Sequence, residues 1–400
     1  MDTAHRISAM QSFFGKTSVC VIEKARTVTR GLCAVTAVLM GLGIESRAQD
    51  YRTILDSSES QAAQGVRGST GSDVVLACSY GSGGSTQGMW WKGSLTTGSG
   101  VAYKVSPVIG SQTVTSALYY GPNTPEFDPT LGAGDVRIVG SYQYVGSTQT
   151  NNGLLYTGPI SGTGGSWTQI NVPNSSVSGT VANTVPHSVM GQVVVGNYNL
   201  VVGGSSAALD NAFLYNIVTG SWTIFDAAFG GVDKLTTAYG VWQNGIGSTS
   251  YTIAGGSKDT GIDKAFLIDY DAATNTFTNL TYFYDGAPVG LTHFEGITGA
   301  AGGYNVIGIA STGYTFASIT RNPNNSFGPA NWTGPLSYPG STMTTGNTVI
   351  GNQAIGVYTL PSDSTVYAYV ATVPEPSTWL MGAAGLGCAG WGAFRRRRQA

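Results

Sequence analysis

An aromatic residue followed by threonine returns in this chain at an unvarying step. Trp167-Thr168, Trp222-Thr223, Phe277-Thr278 and Trp332-Thr333 stand 55 residues apart each time. A fixed period of about 40 to 55 residues marks a repeated unit that cannot bury its apolar face alone. Outward from the marker, each copy holds the same short apolar runs. The clearest copy has Thr237-Ala238-Tyr239-Gly240-Val241, then Tyr251 to Gly256, Lys264 to Ile268, and Thr276-Phe277-Thr278. Runs of this length, rich in β-branched and aromatic residues and bounded by Gly, Asn and Asp, read as strands. Four strands per unit at this period predict an all-β chain folded as a β-propeller.

The other copies align to that frame. The first has Gly65-Val66, Val74 to Cys78, Met89-Trp90-Trp91 and Val101-Ala102-Tyr103; the second has Tyr119-Tyr120-Gly121, Val136 to Val139, Leu154-Leu155-Tyr156 and Trp167. The third has His187-Ser188-Val189, Leu200 to Gly204, Ala212 to Tyr215 and Trp222; the fifth has Glu295-Gly296-Ile297, Asn305 to Gly308, Phe316-Ala317 and Trp332. A sixth runs through Gly346 to Val349, Ala354-Ile355-Gly356 and Val366 to Tyr369, with no fourth strand before the C-terminal segment. Residues 49–59 contain Tyr51-Arg52-Thr53-Ile54-Leu55, a strand-like piece belonging to no copy. The reading is six four-stranded blades over 60–372, closed by this N-terminal strand so that no sheet edge is left open. If the weak first or last copy is misread, the count becomes five or seven.

Charged residues are 10% of the chain, against about 25% in ordinary soluble domains. From Gln49 to Thr372 there are nine Lys and Arg against seventeen Asp and Glu, a net charge of −8. A mildly acidic body without a basic stripe excludes nucleic acid and anionic lipid as expected partners.

Residues 1–48 read as a signal peptide. A basic n-region carries Arg6, Lys16, Lys24, Arg26 and Arg30, and initiation at Met10 would shorten it. The apolar run Gly31–Ile44 is too short to span a bilayer, which takes about 20 residues. Ser46-Arg47-Ala48 then places small residues where a signal peptidase reads them, with cleavage expected between Ala48 and Gln49. Cys33 lacks the small residues that precede a lipidated cysteine. Cys20 and Cys33 leave with the leader and Cys388 with the tail, so the mature body keeps Cys78, expected as a small core residue.

Residues 373–400 form a tripartite tail: Val373-Pro374-Glu375-Pro376, an apolar segment from Trp379 to Phe394, and Arg395, Arg396, Arg397 and Arg398. The arginines stay in the cytosol, which puts the body across the membrane. The Gly-rich apolar segment is short and reads as a marginal, temporary transmembrane anchor. Together these elements resemble the PEP-CTERM sorting signal of Gram-negative bacteria. The resemblance implies recognition by an exosortase, tail removal near Pro374 to Pro376, and release to the cell envelope or an exopolysaccharide matrix, with exopolysaccharide a candidate partner. Within the body, a Gly-Gly pair followed by Tyr and, seven residues on, an aromatic (Tyr215 to Trp222, Tyr270 to Phe277) resembles kelch repeats. Asn211-Ala212-Phe213 and Lys264-Ala265-Phe266 are similar to HAF repeats, without the His. Both likenesses imply a propeller and carry no activity.

Each candidate for chemistry has a plainer structural reading. His187 and His293 begin first strands and would face the central channel, but a divalent metal needs three or four ligands and no spaced Cys, Asp or Glu is assigned to either. Ser257-Lys258-Asp259-Thr260-Gly261 resembles the start of a sialidase Asp-box, yet lacks the following Thr-Trp and reads as a hairpin turn. Asp269-Tyr270-Asp271 with Asn275 has calcium-loop spacing without the Gly and terminal Glu of an EF-hand, and reads as a β-turn. Glu126 and Asp128, in a Pro-flanked insert, are a carboxylate pair with no partner acid assignable. No Ser-His-Asp order, phosphate loop or dinucleotide fingerprint appears. Most of the 21 Tyr and 8 Trp are expected as blade packing, the period-55 aromatics filling wedges between blades. The expectation is an exported, non-enzymatic interaction platform with no catalytic, cofactor or metal residues; the alternative is a carbohydrate-binding or carbohydrate-cleaving propeller.

Overall fold

Each sequence copy builds one antiparallel sheet of four strands, and the six sheets are the blades of a β-propeller. This computed structural model describes residues 50–55, 58–82, 84–202, 205–229, 235–259, 262–284, 292–310 and 313–374. The leader with Ala48 and Gln49, and the tail from Glu375 through Arg398, lie outside the described residues. Among the described residues no helix is long and apolar enough to cross a membrane.

Blades one to five take their strands in chain order from the inside out. Blade six uses Met343–Ile350, Gln353–Leu360 and Asp363–Thr372, and its outer strand is Asp50–Ile54 from the other end of the body. The register runs from Asp50 opposite Thr372 to Ile54 opposite Ala368. The expected closing strand is therefore present, one residue earlier than Tyr51–Leu55. Where the other blades turn from third strand to fourth, blade six has two chain ends side by side.

The core lies between neighbouring sheets, because alternate residues of each strand face one neighbour and then the other. Ala254, Ala265 and Leu267 of blade four pack against Phe294, Val306 and Ala317 of blade five. At the closure, Ile54, Ile355, Ala368 and Val370 of blade six pack against Ala63, Val66 and Leu76 of blade one. Cys78 is fully buried in this same cluster, and burial pushes its thiol pKa up, so it acts as a packing residue.

The period-55 aromatics sit on outer strands. Trp167, Trp222 and Phe277 lie opposite Tyr156, Tyr215 and Tyr270 across the hairpin, with ring centroids 4.7, 4.7 and 5.1 Å apart. Trp167 also reaches Trp90 of blade one at 6.4 Å, as a wedge filler would. Trp332 instead lies opposite Ala317 and stacks on Phe294 of its own blade. One strand departs from the expected position: the second strand of blade three is Val193–Val202, not one centred on Leu200–Gly204. Val193, Val194 and Val195 are fully buried whereas Leu200 is half-buried, so the valine run takes the core register.

The innermost strands are Gln61–Gly68, Val114–Asn123, Val181–Met190, Leu235–Gln243, Phe294–Ala300 and Met343–Ile350. All six carry a β-bulge at the same place. The extra residue is Gln64, Tyr120, His187, Tyr239, Glu295 or Asn347. A bulge re-aims one side chain out of the alternating pattern, and here it aims six of them at the axis.

Candidate functional site

The axis is the natural place for a propeller site, and these bulged residues fill it. The cavity they border has a volume of about 20 Å³, roughly room for one water. Rings pass from blade to blade across it. Tyr120 meets His187 at 4.8 Å, His187 meets Tyr239 edge-on at 4.5 Å, and Tyr239 stacks on His293 at 4.7 Å. His293 Nε2 lies 2.7 Å from Glu295 Oε1, and its Nδ1 lies 2.8 Å from the Thr292 hydroxyl. On the far side Asn347 donates to the Ala63 carbonyl at 2.8 Å and to Gln64 at 3.3 Å.

The two histidines thus do share the channel, but Tyr239 separates them. The expectation that no acid accompanies either is corrected: Glu295, two residues along, pairs with His293 because the bulge turns its side chain back toward the axis. Among the described residues no group of three or more His, Cys, Asp or Glu is placed to hold a metal ion. Burial, with the neighbouring His293 charge second, depresses the His187 pKa to about 3. Tyr120 is pushed up first by burial, against a Ser141 hydrogen bond, with Glu295 adding to the rise. The channel is built for neutral rings.

Arg67, next along the strand from blade one, crosses the axis. Its guanidinium donates to the carbonyls of Val66 (2.9 Å) and Val241 (2.8 Å), and to the Ser188 hydroxyl (3.2 Å). Burial lowers its pKa to about 10, which still leaves it charged at neutral pH. The cation is solvated by carbonyl dipoles of blades three and four, so it ties the ring together as a spoke does. Sequence reading missed this role. The residue type alone gives no hint, since the partners on the other blades, Ser188 and Val241, are more than 100 positions away.

The Pro-flanked insert between the first two strands of blade two reaches across to blade four. Phe127 reaches the Trp242 ring edge-on at 5.6 Å. Asp128 is buried and pairs with Arg137, whose Nη1 also donates to the Gly191 carbonyl at 2.9 Å. Asp128 further accepts the amide and hydroxyl of Thr130 at 3.0 and 2.6 Å. Glu126 points outward and is exposed. The two carboxylates do not form a facing pair.

The remaining candidates are structural as well. Asp271 accepts the Ala273 amide at 2.9 Å, and Asn275 takes φ of 52°, the backbone of a turn between third and fourth strands. Asp269 leaves that turn and pairs with Arg321 of blade five at 2.5 Å. The Asp-box-like stretch is a hairpin whose strands pair to its very tip, Asp259 opposite Ile262.

On the face where the innermost strands end, a groove of about 540 Å³ lies between blades four and five. Trp242, Asn244, Tyr304 and Arg321 line it. Asn244 donates to Ser250 and Thr252 at 3.1 Å each and accepts the Tyr304 hydroxyl at 2.8 Å. Arg321 is held by Asp269 and lies over Phe327 at 4.4 Å. The polar groups are largely spent on one another, apart from Nη1 of Arg321, which has no partner among the described residues; the half-buried indole of Trp242 lines the groove while packing on Phe127 and Gly299.

No curated protein matches the sequence. Among solved structures the chain is similar to Trypanosoma rangeli sialidase, at 7% identity and a TM-score of 0.49, covering 89% of this chain. It spans 61% of that protein's length. It is also similar to the α-L-arabinofuranosidase PaAbf62A from Podospora anserina, at 10% identity, TM-score 0.35, and 67% and 93% coverage of this chain and that one. The β-propeller domain of the Trilobed protease from Pyrococcus furiosus matches at 6% identity, TM-score 0.33, with 78% and 96% coverage. These likenesses bear on neither ligand nor activity. The sequence beyond the last blade is more telling: residues 372–398, starting on the final residue of the third strand of blade six, match the PEP-CTERM protein-sorting motif, the mark of an exported chain with a transient membrane-anchored stage.

Proposed function

We propose that this chain is an exosortase substrate whose propeller serves, once released at the cell surface or into an extracellular polysaccharide matrix, as a non-enzymatic interaction platform. The observation that carries this reading is the join between ring and tail. The sorting motif begins on the last strand residue, with no further domain between. The filled channel supports the platform role, since a cavity the size of one water admits no sugar. In this reading residues 1–48 are removed by signal peptidase after Ala48, and Arg395 to Arg398 hold the tail until it is cut. The test is expression with and without Pro374–Ala400 in an exosortase-positive host. The intact chain should lose mass and leave the membrane fraction; equal mass and location in hosts with and without the enzyme would sink the sorting claim.

A second reading rests on Trp242. A flat indole in an open groove is a platform on which a sugar ring stacks, so glycan binding between blades four and five is the alternative function. Binding on a glycan array that is lost in Trp242→Ala would support it, and reducing ends released from polysaccharide would make the protein an enzyme.

A further inference from the structure

We propose that the propeller closes before its sorting tail is removed, and that Val373, locked into blade six, is the upstream limit of the exosortase cut. This rests on the sorting reading above and adds to it an order of events and a boundary.

The third strand of blade six is held on both edges. Thr372 lies opposite Gln353 on one side and opposite Asp50 on the other. The next residue is still part of the fold. The Val373 amide donates to the Asn352 carbonyl at 2.8 Å, and its side chain is fully buried with Ile307 and Tyr314 of blade five and Tyr369 of blade six. A peptidase needs an extended, accessible stretch on both sides of the bond it cuts. Any bond before Val373 would require the strand to be peeled from two neighbours and a buried side chain to be withdrawn. Pro374, half-buried, is the first residue past that lock.

The same geometry allows closure on the membrane. The closing strand is antiparallel to its partner, so Asp50 and Thr372 stand side by side at one corner of the blade. Residues opposite one another in such a pair are about 5 Å apart. The ring therefore closes without either end being free, because the closing strand lies down alongside its partner without threading past it. From Val373 to Trp379, where the apolar segment begins, six extended residues reach at most about 20 Å. The corner of blade six, on the face bearing the turns between first and second strands, is thus held near the bilayer.

The test compares the native chain with a variant in which Pro374, Glu375 and Pro376 are all replaced by alanine, so that the tail is retained. Both are made in an exosortase-positive Gram-negative host. Limited proteolysis of the membrane-held variant should leave the body intact for as long as it leaves the released native body intact. The released native protein should end, by intact mass, at Val373 or later. A body that is digested while anchored but resists once released would overturn the order of events, and a mature C-terminus at Thr372 or earlier would overturn the boundary. Failure of the sorting reading itself looks different: the native chain would keep its tail, and proteolysis of it against a chain truncated after Pro374 would still report whether a tethered propeller is closed.

Discussion

At the scale of single residues, the axis shows how burial decides what a side chain can do. His187 sits half-buried between Tyr120 and Tyr239 on the axis, and burial drives its pKa down to about 3. A base whose pKa falls on folding stays neutral in the native state while the unfolded chain takes up a proton. Its contribution is therefore full above the ordinary histidine value of about 6.5 and is lost progressively as pH falls toward 3. The slope is about 1.4 kcal/mol per pH unit, so folding stability should drop by about 2 to 3 kcal/mol between pH 6.5 and about pH 4.5 from this residue. His187→Phe keeps a ring between the tyrosines and removes the titration. Denaturant titrations at several pH values should show a flatter profile for that variant between pH 4.5 and 6.5, whatever its absolute stability; parallel profiles would mean that His187 is protonated in the folded ring. The position of His187 on a channel strand was legible from the repeat. Its neutrality was not, because it depends on Tyr239 and on the ring closing around it.

At the scale of elements, the six bulges have a counterpart that glycine fills in four of the blades. The residue after the bulge is Gly65, Gly121, Gly240 or Gly296 in four blades and Ser188 or Thr348 in the other two. A Cβ on Gly65 would stand 2.0 Å from the Tyr120 carbonyl oxygen, and one on Gly121 would stand 2.6 Å from that of His187. These are backbone atoms of the next blade and cannot swing aside, so the inner radius of the ring is set by glycine against backbone. Gly65→Ala and Gly121→Ala should each cost about 1 to 3 kcal/mol as overpacking, seen as a lower denaturation midpoint, whereas Ser188→Ala, which already carries a Cβ, should lose only its hydrogen bond to Arg67. Wild-type stability in Gly65→Ala would show that the blades have room to part. Much of this frame could be read in advance. The Gly-containing runs and the 55-residue marker placed most strands, and the missing strand in the last copy led to Asp50–Ile54. What stayed hidden were contacts whose partners lie far apart in the chain: Arg67 on Val241 and Asp269 on Arg321. Glu295 on His293 stayed hidden for another reason: Glu295 is the extra residue of a bulge, whose side-chain direction the alternating pattern does not give.

At the scale of the molecule, closure is what turns six marginal sheets into one stable body, and the closing strand is short. Asp50–Ile54 supplies five residues, yet it carries Ile54 into the seam between blades six and one and Tyr51 against Tyr338 and Tyr369, at 5.3 and 5.6 Å. Thr53 bonds the Tyr358 hydroxyl at 2.7 Å, and Tyr51 meets the Tyr314 hydroxyl at 3.2 Å. Blade six is accordingly zipped to its last strand by tyrosines as well as by backbone bonds. Among the described residues the backbone bonding at this corner runs as far as Val373, and the tail from Glu375 onward lies outside the described residues. The two ends should therefore have opposite weights. Removing residues 375–400 should leave the thermal midpoint and the size-exclusion profile of the body unchanged. Deleting residues 50–55 should bare the edge of Asp363–Thr372 together with the buried faces of Ala368 and Val370. An open, flat, apolar strand edge pairs with another chain, so the deleted protein should melt earlier and run as oligomers or aggregate in size-exclusion chromatography with light scattering. A stable monomer lacking residues 50–55 would mean that the ring holds without its closing strand, and the pairing of the chain ends would then matter for sorting alone.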